Sequence, residues 1–296
     1  MFQAGFFIDI YMEKINIAIQ KSGRLSEKSL NLLTECGIQF SNGDRKLKTE
    51  ACNFPMELLF LRDDDIPQYV EQGVADIGIL GENEVGEQEK DVAVIEKLGF
   101  GSCRLSLAIP REEEYSGPDY FEGKRVATSY PKLLRRFFDA HAINVKIEAL
   151  SGSVEIATGI GLADGIFDIV STGSTLIMNG LKEVETILRS EAVLIANRRL
   201  SPAKKELLDR LLFRIKAYKN GQGKKYVLLN ARNETIPDIV RLLPGMRSPS
   251  ILPLADKGWS SVHSVISDDD FWEVIDELKR HGAEGILILP IEKMIV

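Results

Sequence analysis

The segment DIVSTGST at 168–175 sets four hydroxyl side chains, Ser171, Thr172, Ser174 and Thr175, around Gly173 directly after an apolar run. Glycine adopts left-handed backbone that other residues avoid, and a helix starting near Ser174 would aim amides back at the bend. Amides, a helix dipole and small hydroxyls together suit a phosphate, such as the 5-phosphate of a sugar. The same residues also suit a plain capped strand-to-helix turn. A Walker loop is excluded, since no Gly-Lys-Ser/Thr is present there.

Further groups stand where strands should end. Asp164 and Asp168, four apart, could accept ribose hydroxyls or hold a hydrated magnesium ion, or could be a solvated turn and a strand-end charge. Lys21 and Arg24 flank Gly23 after the strand-like KINIAIQ; two cations there suit polyphosphate, while surface charge is the plainer alternative. LRDDDIP gathers Arg62 with three aspartates, and GILGENEV leaves Glu82 and Asn83 in a glycine-flanked turn. Thr128, Ser129, Tyr130, Gly152, Ser153 and Glu155 add small donors and one acid at later strand ends. Cys103 reads as a small packed residue rather than a nucleophile, and His141, His263 and His281 are too scattered for a metal cluster.

The elements that must hold these groups alternate. After KINIAIQ comes a helix with Ser26 as its cap, then ELLFLR as strand, a helix with Asp65 and Gln68 as capping pair, and DIGIL as strand. A second set follows: CRLSLAIP, KRVATSY, a helix over 132–141, NVKIEAL, a helix after Ser153, FDIVSTG and a helix after Ser174. Alternation of this kind implies parallel sheets with covered faces. Ser201 and Pro202 open a long helix that closes at NGQGKK, and the remainder reads β-α-β-β-α-β, the order of a ferredoxin-like unit.

With 296 residues, 44% hydrophobic, the chain is long enough for two or three domains. A net charge of −7 without a long basic run argues against nucleic acid or a membrane surface as partner. Three separated cysteines support neither a disulfide framework nor a zinc site. The start MFQAGFFIDIYMEK is apolar but interrupted by Asp9 and lacks a basic leader, and no apolar run reaches membrane-spanning length, so a cytoplasmic location is expected.

Taken together, IAIQKSGRLS, RDDDIP, GILGENEV, CRLSLA, ATSYP, SGSVEIA, GLADGIFDIVSTGSTL, SPSILPL and the ending ILPIEKM resemble the long form of the ATP phosphoribosyltransferases, from about Lys14 to the C-terminus. That resemblance implies an α/β fold: a two-lobed, periplasmic-binding-protein-like catalytic core and a C-terminal ferredoxin-like (ACT-like) regulatory domain. Lobe I would comprise 1–98 and 185–220, lobe II 99–184, and the regulatory domain 224–296. The implied reaction moves the phosphoribosyl group of phosphoribosyl pyrophosphate to N1 of the adenine of ATP, releasing pyrophosphate and using Mg2+. It is the first step of histidine biosynthesis.

On the family's pattern Ser171, Thr172, Gly173, Ser174 and Thr175 would grip the 5-phosphate, with Asp164 and Asp168 beside the ribose. Lys21, Gly23 and Arg24 would face phosphates of ATP or pyrophosphate, and Glu82, Cys103, Arg104 and Leu105 would line the nucleotide cleft. Glu155 is a candidate proton acceptor from the adenine amine or a ribose contact, or else structural. Histidine as feedback inhibitor would meet Asn230, Met246 and Ser250, and the chain would form dimers and hexamers. Two features depart from the pattern: residues 1–11 lie outside it, as an added arm or upstream of a start at Met12, and Ser174 stands where alanine is expected. A binding or amino-acid-sensing module of the same two-lobed plan is the alternative.

Overall fold

The computed structural model describes residues 13–40, 47–243, 245 and 248–296. Along the chain the elements are β1 (Ile15–Gln20), α1 (Arg24–Glu35), β2 (Lys48–Glu50), β3 (Met56–Leu61), α2 (Ile66–Glu71), β4 (Ile77–Gly81), α3 (Glu82–Gln88) and β5 (Val92–Lys97). Next come β6 (Cys103–Pro110), β7 (Arg125–Thr128), α4 (Pro131–Ala140), β8 (Lys146–Ala149), β9 (Gly165–Val170), α5 (Ser174–Met178), β10 (Leu181–Ser190) and β11 (Ala192–Asn197). The rest is α6 (Pro202–Gly221), β12 (Lys224–Arg232), α7 (Ile236–Leu242), β13 (Ser250–Pro253), β14 (Trp259–Ser267), α8 (Asp268–Arg280) and β15 (Glu284–Pro290).

The chain divides into two compact units, Met1–Arg210 and Leu211–Val296, with the division inside α6. The first unit holds two sheets. One runs β2-β3-β1-β4-β11-β5, with β3, β1 and β4 parallel; the other runs β10-β6-β9-β7-β8, with β9, β7 and β8 parallel. Fully buried Ile15, Ile17, Ala18 and Ile19 in β1 show why a near-continuous β-branched run forms a central parallel strand, covered on both faces. The chain crosses from the first sheet to the second between Lys97 and Cys103, and back at Glu191, so β10 lies wholly in the second sheet. The expected division at 185 would cut that strand in the middle of its pairing with β6.

Where the two lobes meet, α3 of the first caps α4 of the second. Glu87 accepts the backbone amides of Lys132 and Leu133, both at 3.0 Å, at the amide-rich start of a helix with Pro131 in its first turn. The local signals at helix starts differ from expectation. Helix α1 begins at Arg24 with Gly23 as its N-cap, and Ser26 lies inside it, buried; Asp65 precedes α2 without a side-chain cap bond. The helix expected after Ser153 is a single 3-10 turn, Val154–Ile156.

The second unit forms an antiparallel sheet in the order β13-β14-β12-β15, the strand order of a ferredoxin-like fold. Its core packs Val227, Leu229 and Val262 against Ile239, Phe271 and Leu278 of the two helices. No helix among the described residues is long and apolar enough to cross a membrane.

Candidate active site

Parallel strands leave their C-terminal ends on one edge of a sheet, where the turns that follow can surround a ligand. In the first unit β1, β3 and β4 of one lobe, and β7 and β9 of the other, end on a single cleft of about 410 Å³. Gln20, Arg24, Asp63, Asn83 and Glu84 line it from the first lobe; Tyr130, Ile169 and Ser171 line it from the second, with Cys103 at the crossing strand.

At the end of β9, Gly173 has φ 81° and ψ −3°, the left-handed conformation that the sequence reserves for glycine, and α5 starts one residue later. Thr172 Oγ1 and Ser174 Oγ lie 3.0 Å apart, so the hydroxyl that departs from the family's pattern joins the same small cluster. Ser171, Thr172, Ser174 and Thr175 are exposed. Arg104 fastens the start of this loop: its Nη1 donates to the Ser171 carbonyl at 3.1 Å. Its Nε and Nη2 both donate to Glu183, each at 2.6 Å. The Arg104 guanidinium, helped by the Ser106 hydroxyl, holds the Glu183 carboxyl down at about 2.

Arg104 therefore positions the loop, its charge being already matched by Glu183. Because the folded Glu183 carboxyl binds its proton more weakly than an ordinary glutamate, the pair supports the fold above about pH 4.5 and loses that support as pH falls toward 2. Glu183→Gln should lower Tm by a few degrees near pH 7, an effect of about 1–2 kcal/mol for a partly exposed pair. The difference from the parent should narrow below about pH 4, which thermal melts followed by circular dichroism would read.

Two carboxylates lie within electrostatic reach of each other beside the loop. Burial pushes Asp168 up to about 6; the Ile169 amide, donating to it at 2.8 Å, opposes that shift, and the charge of Glu155 adds to it. Glu155 stands on the 3-10 turn entered through Ser153, whose φ is 52°. An acid that is half-buried beside the charge of a second acid suits a divalent cation with its waters, or the paired hydroxyls of a ribose. Among the described residues no group of three or more His, Cys, Asp or Glu side chains could hold a metal.

Asp164 does not join them. It sits before β9, at the end opposite the loop, where its carboxylate accepts the Arg125 amide at 2.8 Å and pairs with the Arg125 guanidinium at 3.3 Å. Six residues of strand separate the two ends by about 20 Å at ~3.3 Å per residue. Leu105 is also displaced: fully buried in the second lobe's core, it points away from the face that carries Arg104 and Ser106. Glu82 turns to the side and pairs with Lys97 at 2.9 Å, since α3 starts at that residue instead of leaving it in a turn. Cys103 lines the cleft with its thiol pushed up by burial, which leaves it a poor nucleophile. Arg24 lines the cleft and Gly23, with φ 94°, caps its helix; Lys21 is exposed just past the end of β1.

Asp63, Asn83 and Tyr130 stand among the strand-end groups picked out from the sequence, whereas spacing alone gives Glu84 no role. Asn83 is fixed by Ser190: its backbone N–H donates to Ser190 Oγ at 3.0 Å, and that hydroxyl donates to Asn83 Oδ1 at 2.8 Å. Its Nδ2 then reaches Tyr130 Oη at 3.2 Å and Glu84 Oε1 at 3.3 Å, linking the lobes at the cleft floor. The available signal was position, since GENEV directly follows the buried parallel strand DIGIL.

In the second unit Asn230 pairs in register with Ser261, and Ser250 with His263. Alternation puts both on the sheet face opposite the core residues Leu229 and Val262. Met246 lies outside the described residues.

Two family models match the chain, one described as ATP phosphoribosyltransferase over residues 62–217 and one as HisG, C-terminal domain over residues 221–293. The ATP phosphoribosyltransferases of Parabacteroides distasonis and Phocaeicola vulgatus are 58% and 56% identical to it over 282 residues, 95% of this chain and 100% of each relative. A solved ATP phosphoribosyl transferase (HisG:HisZ) complex from Thermotoga maritima matches with TM-score 0.59 and 30% identity, over 68% of this chain and 98% of that one.

Proposed function

The chain belongs to the ATP phosphoribosyltransferase family, in its long form, and we propose that the cleft between its lobes is where adenine and ribose are joined. The enzyme transfers the phosphoribosyl group of phosphoribosyl pyrophosphate to N1 of the adenine of ATP and releases pyrophosphate, the first step of histidine biosynthesis. A ring nitrogen is already a nucleophile, so the protein's tasks are alignment and stabilisation of charge on the leaving pyrophosphate.

The left-handed bend at Gly173 carries this reading. Loop 171–175 would hold the 5-phosphate, fastened from below by Arg104, with Asp168 and Glu155 at the ribose hydroxyls. The reaction needs a divalent metal, and magnesium is our choice. Glu155 and Asp168 would hold it, because two carboxylates close enough to feel each other's charge match an ion that retains most of its waters. When bound, it neutralises charge on pyrophosphate. Arg24, Gly23 and Lys21 would meet phosphates from the first lobe, and Cys103 would flank the nucleotide. Asp164, Leu105 and Glu82 have no part in this site.

The ferredoxin-like unit would bind histidine as feedback inhibitor through Asn230, Ser250 and Met246, and assemble the chain into dimers and hexamers. Inhibition requires histidine to prefer an inactive arrangement, since equal affinity for both would shift nothing. We place the enzyme in the cytoplasm, with no nucleic acid or membrane as partner.

The test combines protein, ATP, phosphoribosyl pyrophosphate and Mg2+ with a pyrophosphatase, and follows the N1-substituted nucleotide by ultraviolet absorbance. Turnover that stops on chelation, resumes with Mg2+ and falls on addition of histidine is expected. Product formation insensitive to chelator would remove the metal from the scheme, and insensitivity to histidine would remove the effector site.

A further inference from the structure

Joining N1 of adenine to the anomeric carbon makes the purine cationic and its exocyclic amine acidic, and a carboxylate in the cleft can receive the amine proton as the bond forms. We propose that Glu84 is that acceptor, touching the exocyclic amine of the adenine; this rests on the cleft being the site of transfer. The N1 lone pair forms the bond to C1′ while the bond from C1′ to the pyrophosphate oxygen breaks, its electron pair leaving with pyrophosphate. The cationic adenine then gives one amine proton to the Glu84 carboxylate, which becomes a neutral acid, and the product is the 6-imino nucleotide. When product leaves, the acid returns its proton to water.

Geometry singles out Glu84. It lines the cleft from the start of α3, yet is only 8% exposed. The network around it runs one way: Ser190 donates to Asn83 Oδ1, which turns the Asn83 amide so that Nδ2 donates to Glu84 Oε1 and to Tyr130 Oη. Tyr130 Oη, having accepted there, donates its own hydrogen bond to the Glu84 carboxylate. The hydrogen-bonding groups fixed around this carboxylate donate to it, which makes it an acceptor by arrangement, with its remaining lone pairs available to the cleft. Asp63 lines the same cleft and accepts from Gln20 Nε2 at 3.3 Å, a bond within its own lobe, whereas Glu84 is held by donors from both lobes.

Proton affinity agrees. Burial, with the charges of Asp63 and Asp64 beside it, raises Glu84 to about 7, against the pull of hydrogen bonds from Tyr130 and Gln88. A base is most effective when its pKa lies near the working pH. Several other charged groups on the packed elements are matched: Glu87 by the Lys132 and Leu133 amides, Lys132 by Glu89, Glu71 of α2 by Lys90, and Glu183 of β10 by Arg104. Arg136 of α4 donates to the Gly86 carbonyl, and Glu185 of β10 accepts from Tyr115.

The experiment measures kcat and KM for ATP from about pH 5.5 to 9.5 for the wild type, Glu84→Gln and Tyr130→Phe, with pyrophosphate removed. The wild-type kcat should rise with pH through a limb near 7. Glu84→Gln should lose that limb and fall in kcat by about a hundredfold or more, with KM changed less than about threefold. Because the Tyr130 hydroxyl lowers the Glu84 proton affinity, Tyr130→Phe should move the limb to higher pH while keeping it. A Gln variant that retains the limb, or whose loss lies in KM alone, overturns the proposal, as does a limb unmoved in Tyr130→Phe. Active wild type with an unaffected Gln variant removes only Glu84; wild type that forms no N1-linked product removes the transfer site itself.

Discussion

Gly173→Asp should lower kcat/KM for phosphoribosyl pyrophosphate by about ten-thousandfold, chiefly through KM. Two separate effects act at this position. The backbone has φ 81°, where any side chain costs about 1–2 kcal/mol of conformational strain. The space around it is open, the nearest atom to an added Cβ being Val170 Cγ1 at 4.0 Å, so an added methyl meets no obstacle. Gly173→Ala therefore isolates strain and should lose about tenfold in kcat/KM. Aspartate adds a negative charge against the phosphate; two unit charges 4 Å apart repel by about 4 kcal/mol at an effective dielectric constant of 20, roughly a further thousandfold. Steady-state kinetics on both variants, with ATP saturating, separate the terms. An aspartate variant no worse than alanine would place the sugar phosphate elsewhere.

How much of this site could be read from the chain alone depended on whether the signal was local. The bend at Gly173 was legible because hydroxyls, glycine and a preceding strand lie in one short segment. Leu105 was also legible in principle: strand alternation puts it on the face opposite Arg104 and Ser106, and its hydrophobic side chain belongs to the core. Asp164 misleads because four residues of sequence look close, whereas a strand carries them apart, and only the Arg125 pair shows which end it serves. Glu84 could not be recovered from spacing. What makes it special is burial against Tyr130, whose partner Asn83 lies 47 residues away in sequence, and the setting of Asn83 by the Ser190 hydroxyl, 107 residues from Asn83. The sheets themselves followed from alternation, but β11 slips between β4 and β5 as an antiparallel strand after a long excursion through the second lobe. Only non-local pairing reveals that insertion.

Asp168→Asn should abolish most activity and at the same time raise the melting temperature. The folded carboxyl titrates at about 6 against an ordinary 3.8, so the folded state holds its proton more tightly than the unfolded chain. That carboxylate therefore weakens the fold at pH 7 by roughly 2–3 kcal/mol, an amount recovered as pH falls from about 6 to 4. Asparagine keeps the shape without the charge, and Tm should rise by about 3–6 °C near neutral pH, with the gain shrinking in acid. Activity should fall at least a hundredfold, because a neutral amide holds a divalent cation poorly and no longer accepts at both oxygens from a ribose. A residue that merely braced the loop would lose stability and activity together. Opposite signs for the two, measured on one preparation by calorimetry and by product formation, identify a charge kept in a dry place for the ligand's sake. A variant that is less stable as well as less active would return Asp168 to the scaffold and leave Glu155 alone beside the ribose.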